Sequence, residues 1–323
     1  MRYAEVIHNA WELTTSSSKL KWFCFVASFA AVVTFIFEIA WQLGMLSAEF
    51  GIVEHEFVYR TIGTSLSFLT SHHLLGWAFS LLVFILIFEF VLQPWIQATL
   101  ILSVRQGFNC PEKRLSLRQK IIEGGAYFFK LFEFRALFSP FALMTIMLFA
   151  ATMYRYYHGE IFSQIVLPVI IPYLIISFFI NIFMSFVPYF LVCEKCDLGQ
   201  SIRKSIGLVF LNFGVTMAII LLMFLVNFRI IINVLVIIGV PMGILGAATY
   251  FAQSSWLGFM VTLAIVLGVV LVSLASYLTA IVEIFSTAVW ERSFSSLRAK
   301  QKELSSEEEV EESPKEPANE EYI

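Results

Sequence analysis

Lysine and arginine alternate in density along this chain, and that alternation constrains the fold more than any motif. Six long apolar stretches cover residues 22–46, 74–102, 136–157, 165–192, 213–238 and 256–288. Each can cross a hydrocarbon core about 30 Å thick, which takes about 20 helical residues. Numbered from the N-terminus, connecting segments one, three, five and seven hold 18 of the 21 Lys and Arg. Segments two, four and six, with their flanks, hold Arg60 and Arg155, and Arg229 lies inside the fifth stretch. The positive-inside rule is obeyed at every crossing. The expected fold is all-α and polytopic, with six transmembrane helices and both termini in the cytoplasm.

Composition agrees. The chain is 59% hydrophobic and 14% charged, against about 25% charged in a soluble domain. The first apolar run begins at residue 22, too late and too long for a signal-peptide core. It reads as an uncleaved first helix. Cys193-Glu194-Lys195-Cys196 is a C-x-x-C, but a structural zinc site needs a second ligand pair, and none is spaced to supply one. The expectation is two thiols at the end of a membrane helix, with no bound metal.

Three short amphipathic segments are expected on the cytoplasmic face, each preceding a pair of spans. The first covers 3–14, with Val6, Ile7, Ala10 and Trp11 on one face. The second covers about 114–132, where Leu117, Ile121, Phe128 and Phe132 contrast with Arg114, Arg118 and Lys120. The third covers 198–211, where Asp197 and Gln200 fit a capping box. Such helices lie in the interface plane, with basic residues toward anionic headgroups. The headgroup contacts expected are Lys113, Arg114, Arg118, Lys120, Lys130, Arg203 and Lys204. The spans and interfacial helices form one domain, 1–292, divisible into repeats at about 1–105, 106–196 and 197–292. Pro168, Pro172 and Pro188 are expected to kink or end the fourth span. Gly239-Val240-Pro241-Met242-Gly243 is expected to close the fifth, and 244–255 to form an interfacial or re-entrant piece. Residues 293–323 are expected to be an acidic disordered tail: from 303 to 321 there are nine Glu and no aromatic.

Residues 188–213 run from Pro188-Tyr189-Phe190 through Cys193-Glu194-Lys195-Cys196 and Arg203-Lys204-Ser205 to Phe213. This pattern resembles a bacterial membrane family related to the membrane domain fused to some glycerophosphoryl diester phosphodiesterases. Its members show an acidic residue near a short turn, then an amphipathic segment with a basic pair and a Ser. Glu194, Arg203, Lys204 and Ser205 occupy those positions here. Arg105-Gln106-Gly107 and Ser116-Leu117-Arg118 resemble its earlier cytoplasmic segment. The resemblance implies the architecture and a bacterial cytoplasmic membrane. The phosphodiesterase barrel has no counterpart in this chain, so that activity does not carry over.

Asp197 is the only aspartate, which excludes a paired-aspartate intramembrane protease and an aspartate-cluster phosphotransferase. There is no H-E-x-x-H, G-x-S-x-G or P-loop, and nothing points to a cofactor or to nucleic acid. His72-His73 and Glu54-His55-Glu56 fall in the first outer loop and read as solvated surface. The polar residues inside spans are Glu38, Glu89, Asn181, Asn227, Arg229 and Asn233. A charge at the helix centre costs at least about 2.5–3.5 kcal/mol. At a rise of 1.5 Å per residue, Glu38, Glu89 and Arg229 lie about 24, 18 and 22 Å deep, so either acid can neutralise Arg229. Glu283 lies nearer the cytoplasmic end of its span. The leading expectation is a non-enzymatic membrane protein that engages lipid or a partner protein. The alternative is a small-solute transporter or channel with a polar mid-membrane site around Arg229.

Overall fold

The computed structural model describes residues 3–49, 80, 83, 88–109, 116–157, 162–250 and 256–312. Among them every regular element is helical and there are no strands. Four stretches are long and apolar enough to cross a membrane: Ser18–Ile36, Phe128–Tyr154, Phe162–Cys193 and Val266–Gln301. The bent pair Leu198–Leu211 and Phe213–Val226 makes a fifth if counted as one span. The chain is thus an all-helical integral membrane protein of the multi-pass type.

Chain order is α1 (Tyr3–Ser16), α2 (Ser18–Glu49), α3 (Gln93–Asn109), α4 (Leu117–Gly125), α5 (Phe128–Phe138), α6 (Leu143–Tyr156), α7 (Leu167–Met184), α8 (Val187–Cys193), α9 (Leu198–Leu211), α10 (Phe213–Tyr250) and α11 (Trp256–Glu312). Short π-helical turns, Phe88–Leu92 and Phe162–Val166, lead into α3 and α7. α11 is the central post, packing against α10, α2, α1 and α3. It is 57 residues long, about 85 Å at 1.5 Å per residue, so it must project well beyond the hydrocarbon core.

Three apolar clusters line this post. Val6, Ala10, Val104, Ile219, Met223, Ala288 and Val289 join α1, α3, α10 and α11. Leu20, Cys24, Ala27, Ile96, Leu100, Ala280 and Ile284 join α2, α3 and α11. The third cluster surrounds α8, where Phe186–Val192 meet Ala98, Leu131, Leu208, Phe294 and Leu297. The domain boundary expected at 292/293 therefore falls inside a continuous helix. Trp290, Phe294 and Leu297 repeat at helical spacing, so the packed face outlasts the apolar composition. Residues 313–323 lie outside the described residues.

The first and third expected amphipathic segments form as α1 and α9, but the second, expected over about 114–132, breaks at Ala126–Tyr127 into α4 and α5, and its Phe128 and Phe132 lie on a stretch long and apolar enough to cross a membrane. α9 meets α10 at 99°. Its inner face buries Ser201, Ser205, Leu208 and Val209, while Arg203, Phe210 and Leu211 face outward. The capping box expected at Asp197 does not form: Asp197 makes no side-chain cap bond. Its carboxylate instead pairs with Lys130 Nζ at 3.0 Å, and a charge-assisted bond outcompetes a neutral amide donor. The capping box stands at α4, where Ser116 and Gln119 bond reciprocally.

Prolines act differently at each position. Pro168 and Pro188 occupy the first turns of α7 and α8, where the missing N–H is no loss. Pro172 sits inside α7. Pro241 does not close the fifth span: α10 runs on to Tyr250. In lipid a broken helix would leave backbone groups unpaired, which favours continuing the helix through a proline. Residues 251–255 lie outside the described residues. At Ser139–Phe141, between α5 and α6, the chain does break. One face of α7 repairs the damage. Tyr173 Oη donates to the Pro140 carbonyl at 3.0 Å, Asn181 Nδ2 to the Phe141 carbonyl at 2.7 Å, and the Ser177 hydroxyl also to Phe141.

α3 and α4 approach closely because Gly124 has no side chain. A Cβ there would sit 3.0 Å from the Thr99 backbone nitrogen and overlap its hydroxyl. Trp95 Nε1 locks the pair by donating to the Ile121 carbonyl at 2.6 Å. Gly124→Ala is therefore expected to destabilise by about 1–3 kcal/mol, despite alanine's better helix propensity. At neighbouring Gly125 a Cβ would meet the Trp95 ring at an ordinary 3.5 Å. Thermal unfolding of the two alanine variants checks this, and equal midpoints would refute the close approach.

Candidate functional site

The turn from Cys193 to Asp197 is held by four basic residues from four helices. Arg105 on α3 donates to the Cys193 carbonyl at 2.7 Å. Lys130 on α5 donates to the Cys196 carbonyl at 3.1 Å and pairs with Asp197. Lys204 on α9 pairs with Glu194 at 2.8 Å and reaches Cys196 Sγ at 3.1 Å. Arg298 on α11 pairs with Glu194 through Nε at 2.7 Å and Nη2 at 3.4 Å. Lys204 and Arg298 also lie 5.9 and 5.8 Å from the centroid of the Phe190 ring. Lys195 takes φ 57°, the left-handed conformation that ends a helix and reverses the chain. Ser205, at the position singled out in the family pattern, donates to the Phe183 carbonyl at 2.6 Å.

Partial burial, the largest single influence, pushes the Glu194 carboxyl up. Hydrogen bonds from Lys204 and Arg298, with their charges, outweigh it and hold the group below the ordinary glutamate value of 4.5. Glu194 thus stays ionised and clasps α9 to α11.

Beside this clasp, a cavity of about 520 Å³ opens between α2, α3, α5, α8 and α11. Its lining is mostly apolar but carries Ser28, Gln93, Gln97, Arg135, Thr279 and Glu283. Ser28 Oγ donates to Glu283 Oε2 at 3.3 Å. Arg135 and Glu283 line the same cavity. The Gln97 carbonyl oxygen is buried and accepts no hydrogen bond. A second cavity of about 680 Å³ adjoins the first and shares Gln93, Arg135, Ser185 and Pro188 with it. It is largely apolar and aromatic, with Phe90, Phe132, Phe134 and Phe138 on its walls.

The residues expected to form a site divide sharply. Glu38, Glu89, Asn227, Arg229 and Asn233 lie on α2, the π turn before α3, and α10, but their side chains lie outside the described part. Asn181 is exposed rather than buried in a polar cluster, because the broken backbone at Phe141 claims it. Among the expected headgroup contacts, Arg118 and Arg203 are exposed and Lys120 is half-buried. Lys130 and Lys204 are drawn inward to the 193–197 turn. Lys113 and Arg114, with Glu54-His55-Glu56, His72-His73 and Cys110, lie outside the described residues. No group of three or more His, Cys, Asp or Glu suited to a metal occurs among the described residues.

Arg135 and Glu283 did not stand out as a pair in the sequence. A signal existed: Ser276, Thr279, Glu283 and Ser286 repeat at three- and four-residue steps, a polar stripe down one face of an apolar helix. Gln93 and Gln97 show the same spacing on α3. Comparison with protein-family models, with curated proteins and with solved structures finds no match to this chain.

Proposed function

We propose that this is a six-span membrane protein with both termini in the cytoplasm and no catalytic activity of its own, which engages membrane lipid through its amphipathic interfacial layer. The observation that carries the reading is α9. It meets its following span at 99°, turns Phe210 and Leu211 outward, 66% and 69% exposed, and presents Arg203 on its outer surface. An apolar edge with a cationic residue beside it suits the boundary between acyl chains and anionic headgroups. Arg118 on α4 adds a second exposed cation. The resemblance to a bacterial membrane family supports a bacterial cytoplasmic membrane as the setting.

Purified full-length protein should gain more thermal stability from anionic than from neutral phospholipid. The difference should shrink in high salt and in the Arg118→Glu/Arg203→Glu variant, since each basic residue near an anionic surface contributes about 1 kcal/mol. Equal stabilisation by both lipids would overturn the reading. Topology has its own check: reporter fusions after Glu56 and after Gln253 should both read outside, and a cytoplasmic signal from either would break it.

The 520 Å³ cavity, with Arg135 and Glu283 among its lining, favours a second reading, passage of a small solute. A cysteine placed at Thr279 would then react with membrane-impermeant thiol reagents applied from either side.

A further inference from the structure

We propose that a cavity at the junction of α1 and α2 binds a phosphate group, held by the first-turn N–H groups of α2, the Ser103 hydroxyl and the Lys19 ammonium. The cavity measures about 400 Å³, within the range of about 300–1,000 Å³ typical of ligand pockets. Its walls come from α1, α2, α3 and α4, and among the described residues that line it none is acidic. This site is separate from the exposed α9 surface on which the interfacial reading rests.

A helix leaves its first backbone N–H groups without intrahelical acceptors. α2 begins at Ser18 and runs for 32 residues. The Lys21 N–H donates to the Ser17 carbonyl at 3.2 Å, so the N–H groups of Ser18, Lys19 and Leu20 stand ahead of the helical ladder. All three residues line the cavity. Ser17, at the N-cap position, turns its hydroxyl back to the Leu13 carbonyl at 2.9 Å. The carbonyl end of α1 is served by several donors. The Ser16 hydroxyl also reaches Leu13, at 3.1 Å, and Lys21 Nζ reaches the Thr15 carbonyl at 3.0 Å. Acceptors at the junction are thus occupied while the first-turn donors of a long helix face a cavity, an arrangement that favours an anion.

Ser103 points to a ligand independently. It lies on α3, lines the cavity and is 6% exposed, and its hydroxyl is buried without a hydrogen-bond partner among the described residues. Other helical hydroxyls here return their proton to the carbonyl four residues back, as Thr99 does to Trp95 at 2.9 Å and Ser276 to Val272 at 2.7 Å. Ser103 forgoes that bond, which leaves a buried donor unpaired. An oxygen bound in the cavity supplies the acceptor. Lys19 is exposed at the rim and belongs to none of the ion pairs among the described residues. Lys120 also lines the cavity but already has a partner, and the site does not require it. Hydroxyl, N–H and ammonium all donate, and the oxygens of a tetrahedral oxyanion reach donors on separate walls. Ser18 also opens the apolar stretch Ser18–Ile36, which sets the cavity at the end of a span, level with headgroup phosphates and open to phosphate in the adjoining water.

The test uses full-length protein, stripped of lipid in mild detergent and kept free of phosphate and sulfate. Titration calorimetry and thermal shift compare three probes: inorganic phosphate, an anionic phospholipid in mixed micelles, and chloride at matched ionic strength. Phosphate, free or in the phospholipid, should bind saturably, and chloride should give no shift. Ser103→Ala should weaken that binding about tenfold while leaving the ligand-free protein no less stable, because it removes an unpaired hydroxyl. Lys19→Gln, at an exposed position, should also weaken it, and Lys19→Arg should retain it. Ser103-sensitive binding of inorganic phosphate identifies a soluble phosphate as the ligand. Ser103-sensitive binding of the phospholipid alone identifies a lipid headgroup, and either result upholds the site. No saturable binding of phosphate in either form would overturn the proposal, as would binding unchanged by Ser103→Ala and Lys19→Gln. A Ser103→Ala protein that is destabilised without ligand would also overturn it, since the hydroxyl would then be serving the fold. Arg203→Glu alters the outer face of α9 and should leave the Ser103-sensitive binding intact. Loss of that binding in Arg203→Glu would put the phosphate on the α9 surface and overturn the cavity site.

Discussion

Phe190→Ala is expected to cost about 3–5 kcal/mol, the range for removing a fully buried phenylalanine. Phe190 is 0% exposed at the centre of the cluster around α8. Its ring meets Phe294 edge-on at 4.8 Å, so the loss spreads from α8 to the central post. Two cations within about 6 Å of a ring centroid add to a ring's contribution, each by about 0.5–1 kcal/mol at partly exposed sites. Both Lys204 and Arg298 meet that distance here. Phe190→Leu keeps most of the volume but loses the ring face, and should fall between the alanine variant and the unaltered protein. Reversible unfolding in micelles provides the measurement. A loss below about 1 kcal/mol for the alanine variant would show that α8 is not the hub the packing implies.

The second large effect is expected at Glu194. Its carboxylate receives Lys204 and the Nε and Nη2 donors of Arg298, and its side chain is 23% exposed. Hydrogen bonds to charged groups contribute about 1.5–3 kcal/mol when part-buried. The Lys204 side chain is 39% exposed, so its share is reduced by solvent. Glu194→Gln should therefore cost about 2–3 kcal/mol, mostly through Arg298 left without its counter-charge. The double variant Glu194→Gln/Arg298→Met should lose less than the sum of the single changes, a coupling of about 1 kcal/mol or more. Strict additivity would mean the two groups do not stabilise one another.

The same carboxylate sets a pH dependence. The folded protein holds Glu194 below its ordinary value of 4.5. Its stabilisation is therefore complete above that value and is lost as pH falls through the folded pKa. The melting temperature of the unaltered protein should drop toward that of Glu194→Gln as pH falls below about 4.5, and the gap should be constant above it. A gap that persists undiminished in acid would contradict an ionised clasp.

Helical periodicity carried the first and third amphipathic segments accurately, but not the second, which breaks into α4 and α5 at Ala126–Tyr127. The third was expected over 198–211, and α9 spans Leu198–Leu211. The first, expected over 3–14, is α1 at Tyr3–Ser16. Apolar length carried the long helices, because a stretch that must satisfy its own backbone in lipid has little choice but to be helical. Helix ends were less legible. A composition shift near 293 and a proline at 241 both read as stops, yet α11 and α10 run through them. Packing of Phe294 and Leu297 explains the first, and the need to pair backbone groups explains the second.

What the sequence determined by itself was therefore local and one-dimensional: helicity, amphipathic faces and the apolar lengths that mark membrane spans. These follow from residue spacing alone. What only the tertiary structure decided was which charges meet. Lys130 and Lys204 look in sequence like headgroup contacts, but they converge with Arg105 and Arg298 on one short turn. Arg298 is 104 residues from Glu194, and Arg135 shares a cavity with Glu283 across more of the chain still. Electrostatic energy depends on distance in space and on local burial, and neither can be read from spacing along the chain. The helices were legible because their stabilising bonds span four residues, and the site was not because its members are brought together by how those helices pack.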